Sequence, residues 1–282
     1  MEPTTARAAR PTVIATAVRI FDLSLGQMLW SRRSLFLALV AAAPIALASL
    51  IRFAATIEPA ALPQINGQRL DGSVLFGLMI WFLYVRFIVP VLGMFYGIGL
   101  IADEVDDKTI TYLFIRPIPR SAVLLGKYLA YVVCTILLVL PSVVIVYFLI
   151  VPIGGGSVGG AFLAFVTDLG VLALGIAAYG ALFGWVGTRL KRPLVIGLVF
   201  VFGWEPGVLL FPGYLKRATI AYYLQGLVPH SMPQDSAVSV LLQVFQEIPS
   251  AALSLGALAG VTLVGIWLAA RATESREYVL EQ

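Results

Sequence analysis

The ionisable residues of this chain fall into two groups with different chemistry. Asp103, Glu104, Asp106, Asp107, Lys108, Arg116, Arg120 and Lys127 crowd one polar stretch between two apolar runs. Arg86, Asp168 and Glu205 stand singly inside long apolar runs. The crowded stretch can meet another protein through charge. The isolated charges are costly in hydrocarbon and must pair internally or face a polar path or gate. An internal ion pair, Arg86 with Glu205 or with Asp168, is the simpler reading. Enzymatic chemistry is poorly served. One histidine, His230, and one cysteine, Cys134, exclude a multi-histidine metal site and an intrachain disulfide. The isolated carboxylates do not pair at short spacing for acid–base work. Gly126-Lys127 is followed by Tyr128, so no phosphate-binding loop is completed.

The elements that carry these residues follow from composition. The chain has 282 residues, 60% hydrophobic and 12% charged, with a mean hydropathy of +0.95. A soluble domain carries about 25% charged residues. A soluble enzyme, a nucleic-acid-binding domain and a disordered chain are all excluded, and no nucleic-acid partner is expected. An all-α polytopic membrane protein remains. Six apolar stretches reach the roughly 20 residues that a spanning helix needs. They run over 35–55, 74–101, 124–151, 161–186, 193–211 and 251–270, the second with a kink or tilt at Pro90. With both termini cytoplasmic, fourteen Lys and Arg residues lie in inner segments and three, Arg69, Lys216 and Arg217, in outer ones. The positive-inside rule therefore places both termini in the cytoplasm, in the plasma (inner) membrane.

Segments outside the spans have their own patterns. Ile14, Val18, Phe21, Leu25 and Met28 share one face of a helix over about 12–33, which reads as amphipathic and lying at the inner lipid interface. Ser31-Arg32-Arg33-Ser34 before an apolar run imitates a twin-arginine export signal; with five more spans following, it is an anchor for the first span. The outer segment over 212–250 holds Ile220, Tyr223 and Leu224, then Val238, Leu241, Leu242 and Phe245, which predict one or two short helices on or in the outer leaflet. The chain divides into a tail and interfacial helix over 1–34 and a six-span membrane domain over 35–282.

The loop over 102–123 is the most informative stretch. Val105 to Ile115 can form about three helical turns. Pro117-Ile118-Pro119 is stiff and extended, Arg116 is pushed from helical geometry by the proline after it, and Ser121 restarts a helix. Lys127 can snorkel to the interface. This stretch resembles the permease subunits of ABC-2-type ATP-binding-cassette transporters. Glu104, Thr109, Leu113, Pro117, Arg120, Gly126 and Lys127 fall in that family's register, with Lys108 where glycine is more common. Six spans, a basic amphipathic N-terminal helix and a long outer segment before the last span also resemble it, as do Trp204-Glu205-Pro206 and Leu227-Val228-Pro229.

The resemblance implies an export permease that binds no cofactor itself and borrows ATP and Mg on a separate ATPase subunit. It implies a second permease chain, identical or different, and membrane lipids as neighbours. Glu104, Thr109, Leu113, Pro117, Arg120 and Lys127 would form the ATPase-coupling segment, seated in a cleft of the ATPase. An alternative within the same family is a membrane scaffold that transmits force to an outer-compartment protein. An intramembrane enzyme is the weakest reading.

Overall fold

The computed structural model describes residues 13–57, 64–65, 68–69, 71–106, 120–208, 214–229 and 249–275. Among them the chain is helical apart from a two-residue antiparallel pair, Gln64–Ile65 with Gln68–Arg69. The helices are α1 (Val13–Leu29), α2 (Arg32–Ile57), α3 (Gly72–Met79), α4 (Val89–Asp106), α5 (Arg120–Ile150), α6 (Phe162–Arg189), α7 (Pro193–Val199), α8 (Ile220–Gln225) and α9 (Ala251–Ser275). Five helical stretches are long and apolar enough to cross a membrane: Arg33–Ile57, Gly72–Ile101, Arg120–Ile150, Phe162–Arg189 and Ala251–Glu274. The stretch expected over 193–211 is a shorter apolar helix, Pro193–Gly207. At 1.5 Å per residue it is roughly 22 Å long, against about 30 Å of hydrocarbon.

Two of these stretches are not α-helical throughout. Ile80–Ile88 is π-helical and joins α3 to α4, and Phe200–Trp204 is a π turn after α7. The first has a visible cause. Pro90 cannot donate to the carbonyl four residues back, and its ring crowds that carbonyl. Widening the helix just before it relieves the clash, and Val89 N–H reaches back to Tyr84 instead. The irregularity expected at Pro90 thus takes the form of a π segment one turn earlier.

The core lies between α4, α5 and α6, with the Gly72–Ile101 stretch the most buried of the long helices and α9 the most exposed. Small residues let these helices approach. A Cβ on Gly93 of α4 would lie 2.6 Å from the Tyr179 Cβ on α6, and one on Gly97 would lie 2.9 Å from the Phe183 Cβ. On α6, Gly180 leaves room for the ring of Tyr131 from α5. That ring then donates its hydroxyl to the Ile176 carbonyl at 2.7 Å, and Tyr128 donates to Ala177 at 2.9 Å. An O–H buried in hydrocarbon must find an acceptor, and a helix carbonyl is the nearest available.

Prolines inside helices leave carbonyls needing donors. α2 holds Pro44 and α5 holds Pro141. Next to Pro141, Ser142 donates to the Ala41 carbonyl at 2.6 Å, close to the break that Pro44 makes in α2. Tyr84, on the π segment, shares a 2.7 Å hydrogen bond with the same Ser142 hydroxyl. Three helical stretches therefore meet at one serine.

α1 departs from its sequence pattern in one respect. It meets α5 through Ala17 and Ile20 at Gly126, with Thr16 and Ser24 also buried, and of the apolar stripe Leu25 and Met28 pack on the core. A Cβ on Gly126 of α5 would lie 2.6 Å from the Ala17 carbonyl oxygen. Ile14 and Val18 stay 77% and 58% exposed, about a quarter-turn away. The helix also ends at Leu29, and α2 begins at Arg32, so 12–33 is not one continuous helix. The Ser31–Ser34 turn is fastened instead. Ser34 caps the Met28 carbonyl, Tyr96 of α4 donates to Ser34 Oγ at 2.6 Å, and Arg33 donates to the Phe95 carbonyl at 3.4 Å. The apparent export signal is a structural tie between α1, α2 and α4.

Candidate functional site

Two groups of residues qualify. The first is the loop end of the membrane body. Of the segment singled out above, Thr109, Leu113 and Pro117 lie outside the described residues, and Glu104 is seen only as part of the backbone of α4. Arg120 and Lys127 are described, and both sit on the first turns of α5. Arg120 donates through Nη1 to the Thr273 carbonyl near the end of α9 at 3.3 Å. Helix ends leave four carbonyls without intrahelical donors, and a cation there also meets the negative end of the helix dipole. Lys127 is buried, one residue after the Gly126 contact with α1. The start of α5 thus touches α1 on one side and α9 on another.

The second group is the set of charges at membrane depth. Arg86 lies on the π segment Ile80–Ile88, and Glu205 follows directly on the π turn Phe200–Trp204. The Arg86 guanidinium donates through Nη1 to the Glu205 backbone carbonyl at 3.4 Å and lies over the Trp81 ring, 5.0 Å from its centroid. The short helix ends at Gly207, so this carbonyl lies in its last turn, where a donor from elsewhere is needed. The Glu205 side chain works in the opposite direction. Its Oε1 accepts the Tyr179 hydroxyl at 2.9 Å and the Ile220 N–H at 3.1 Å. Ile220 opens α8, whose own N-cap residue, Thr219, makes no side-chain capping bond. Glu205 is 3% exposed and Tyr179 is fully buried. Beside this contact Phe87 and Phe202 meet edge to face at 6.1 Å.

Arg86 and Glu205 are therefore brought together. Asp168 is not part of that contact. It is buried on α6, roughly 16 Å along the helix axis from Tyr179. Tyr179 was not singled out from sequence. The available signal was a hydroxyl in an otherwise apolar run, which must find a partner. No cluster of three or more His, Cys, Asp or Glu side chains gathers among the described residues, so neither group resembles a metal centre.

Five long apolar helices with internally bonded charges define an integral membrane protein. The family described as ABC-2 family transporter protein matches residues 12–271, and the chain belongs to that family. It is an ABC-2 transporter membrane subunit, of a kind that lacks an ATPase domain. A search of curated proteins finds no significant match.

Proposed function

We propose that this subunit is the permease half of an ABC exporter, driven by ATP hydrolysis on a separate ATPase subunit. It crosses the membrane six times, with both termini in the cytoplasm and 102–123 facing the ATPase. Five crossings would leave the termini on opposite sides and break the excess of basic residues on one side. Pro193–Gly207 is accordingly the fifth of six crossings, a short one, with Lys191 and Arg192 at its inner end. α1 lies at the inner lipid surface, its exposed Ile14 and Val18 toward lipid. A second permease chain completes the transport path, with ATP and Mg held on the paired ATPases.

The observation that carries this reading is the wiring of the first two turns of α5. A push on the loop arrives at Arg120, which holds the end of α9, and passes Gly126, which α1 touches. Displacement by an ATPase would reach three helices at once. Glu104, Thr109, Leu113 and Pro117 would form the contact with the ATPase, and Arg120 and Lys127 would pass its movement on. Arg86, Glu205 and Asp168 serve helix packing in the resting state.

The test is co-purification with an ABC ATPase encoded beside this chain, followed by reconstitution. The expected result is a stable complex whose ATP hydrolysis falls out of step with transport when Glu104 and Arg120 are replaced. Failure to assemble with an ATPase, or intact coupling after both replacements, overturns the proposal.

A further inference from the structure

We propose that Glu205 is the latch of an outer gate, that α8 is the part it releases, and that Tyr179 positions the latch. This rests on the reading of the chain as an ATPase-driven permease with 212–250 outside.

Glu205 holds four elements together. Its carboxylate binds α6 through Tyr179 and the start of α8 through Ile220, while its carbonyl takes Arg86 from the π segment of the second span. It directly follows the π turn of the fifth. Three features make this a latch and not a permanent staple. The first is that both stretches meeting at Glu205 are π-helical at the contact. A π segment carries wider, weaker turns than an α-helix, and it can tighten with a local rotation that re-aims its side chains. Such a rotation would take Arg86 off the Glu205 carbonyl.

The second is the carboxylate itself. Oε1 takes the Tyr179 and Ile220 bonds and the Ala221 N–H also faces the carboxylate, whereas Oε2 is buried and makes no hydrogen bond among the described residues. Leaving a buried polar atom unbonded costs about 1–3 kcal/mol, and more when it carries charge. The closed arrangement is therefore under-bonded, and a rearrangement that wets the carboxylate recovers part of that cost.

The third is α8. It is six residues long, its first N–H is bonded by Glu205, and Gly226 and Pro229 follow it closely. Its inward face, with Ile220, Ala221 and Leu224 buried, rests on α6 where Gly175 leaves space; a Cβ there would lie 3.0 Å from Leu224 Cδ1. So short a helix has little stability of its own. It packs on α9 as well, with Gly226 against Ser254 and Pro249, so losing the Glu205 bond frees it to swing off α6 about that contact and open the outer end of the membrane body.

Ala221 is 1% exposed and reports the latch directly. In a Cys134→Ala background, Ala221→Cys is labelled with a membrane-impermeant maleimide in proteoliposomes. The complex with its ATPase is compared without nucleotide and trapped with ATP and vanadate. Labelling is expected to be at least tenfold faster in the trapped complex. Tyr179→Phe, which keeps the ring and removes the hydroxyl, is expected to raise the nucleotide-free rate several-fold while size-exclusion behaviour stays unchanged. Equal rates in the two nucleotide states overturn the proposal, and so does an unchanged rate in Tyr179→Phe. The Tyr179→Phe comparison is run on the permease without ATPase, so it decides the latch even where failed assembly has overturned the coupling reading.

Discussion

Arg120 Nη1 donates to the Thr273 carbonyl at 3.3 Å, so the first residue of α5 caps the last turns of α9. These residues are far apart in sequence, and the polar loop arrives at one of them directly. The last long helix, the most exposed of the five, is thereby tied to the loop as well as to α6.

Arg120→Ala removes that cap. It is expected to lower thermal stability by about 1.5–3 kcal/mol, the size of a hydrogen bond made by a charged group, and to reduce ATP-coupled transport while ATPase binding persists. Arg120→Lys keeps the charge, loses the fork of donors, and should recover only part of the coupling. Melting in detergent and coupled transport assays check both.

Ser142→Ala leaves the Ala41 carbonyl and the Tyr84 hydroxyl without their shared partner. A loss of about 1–3 kcal/mol is expected. Tyr84→Phe in addition should cost less than it does in the native chain. A double-mutant cycle on thermal unfolding measures the coupling.

Gly93→Ala places a Cβ 2.6 Å from Tyr179 Cβ, and Gly180→Ala drives one into the Tyr131 ring. Each should destabilise by about 1–3 kcal/mol, the usual cost of overpacking. Gly170→Ala and Gly260→Ala meet nothing within 4 Å and should be neutral or slightly stabilising. Unfolding temperatures of the four variants distinguish close helix contact from a general intolerance of change.

Arg86→Met strips the Glu205 carbonyl of its donor and leaves a buried carboxylate beside an apolar chain. Breaking such a buried arrangement costs on the order of 3–5 kcal/mol. Arg86→Met with Glu205→Met should regain part of that loss, because no uncompensated charge remains. Thermal unfolding of the single and double variants checks the order of stabilities.

Five of the long helices were legible because each is an apolar run of spanning length, a property that survives ignorance of every contact. Pro193–Gly207 was harder. Its expected end near 211 lies outside the described residues, and no sequence pattern announces a π turn. The stripe Ile14, Val18, Phe21, Leu25 and Met28 predicted a helix correctly at Val13–Leu29. It could not show that the chain packs through Ala17 and Ser24, because small residues carry close approach without raising hydrophobicity. Arg86 and Glu205 were visible as charges out of place. Tyr179 and the Ile220 N–H were not, since their role exists only after α6 and α8 have been brought to the same point.

The helix Pro193–Gly207, roughly 22 Å long, is shorter than the hydrocarbon of an ordinary bilayer by about 8 Å. On the proposed six-span reading, lipid next to this short crossing must compress its tails, and each ångström of mismatch costs a fraction of a kcal/mol. The five longer partners of this helix pull the opposite way, so the rim of the protein is uneven in height. Acyl-chain length thereby becomes a control parameter for the protein: thin bilayers relieve the short side, and thick ones load it.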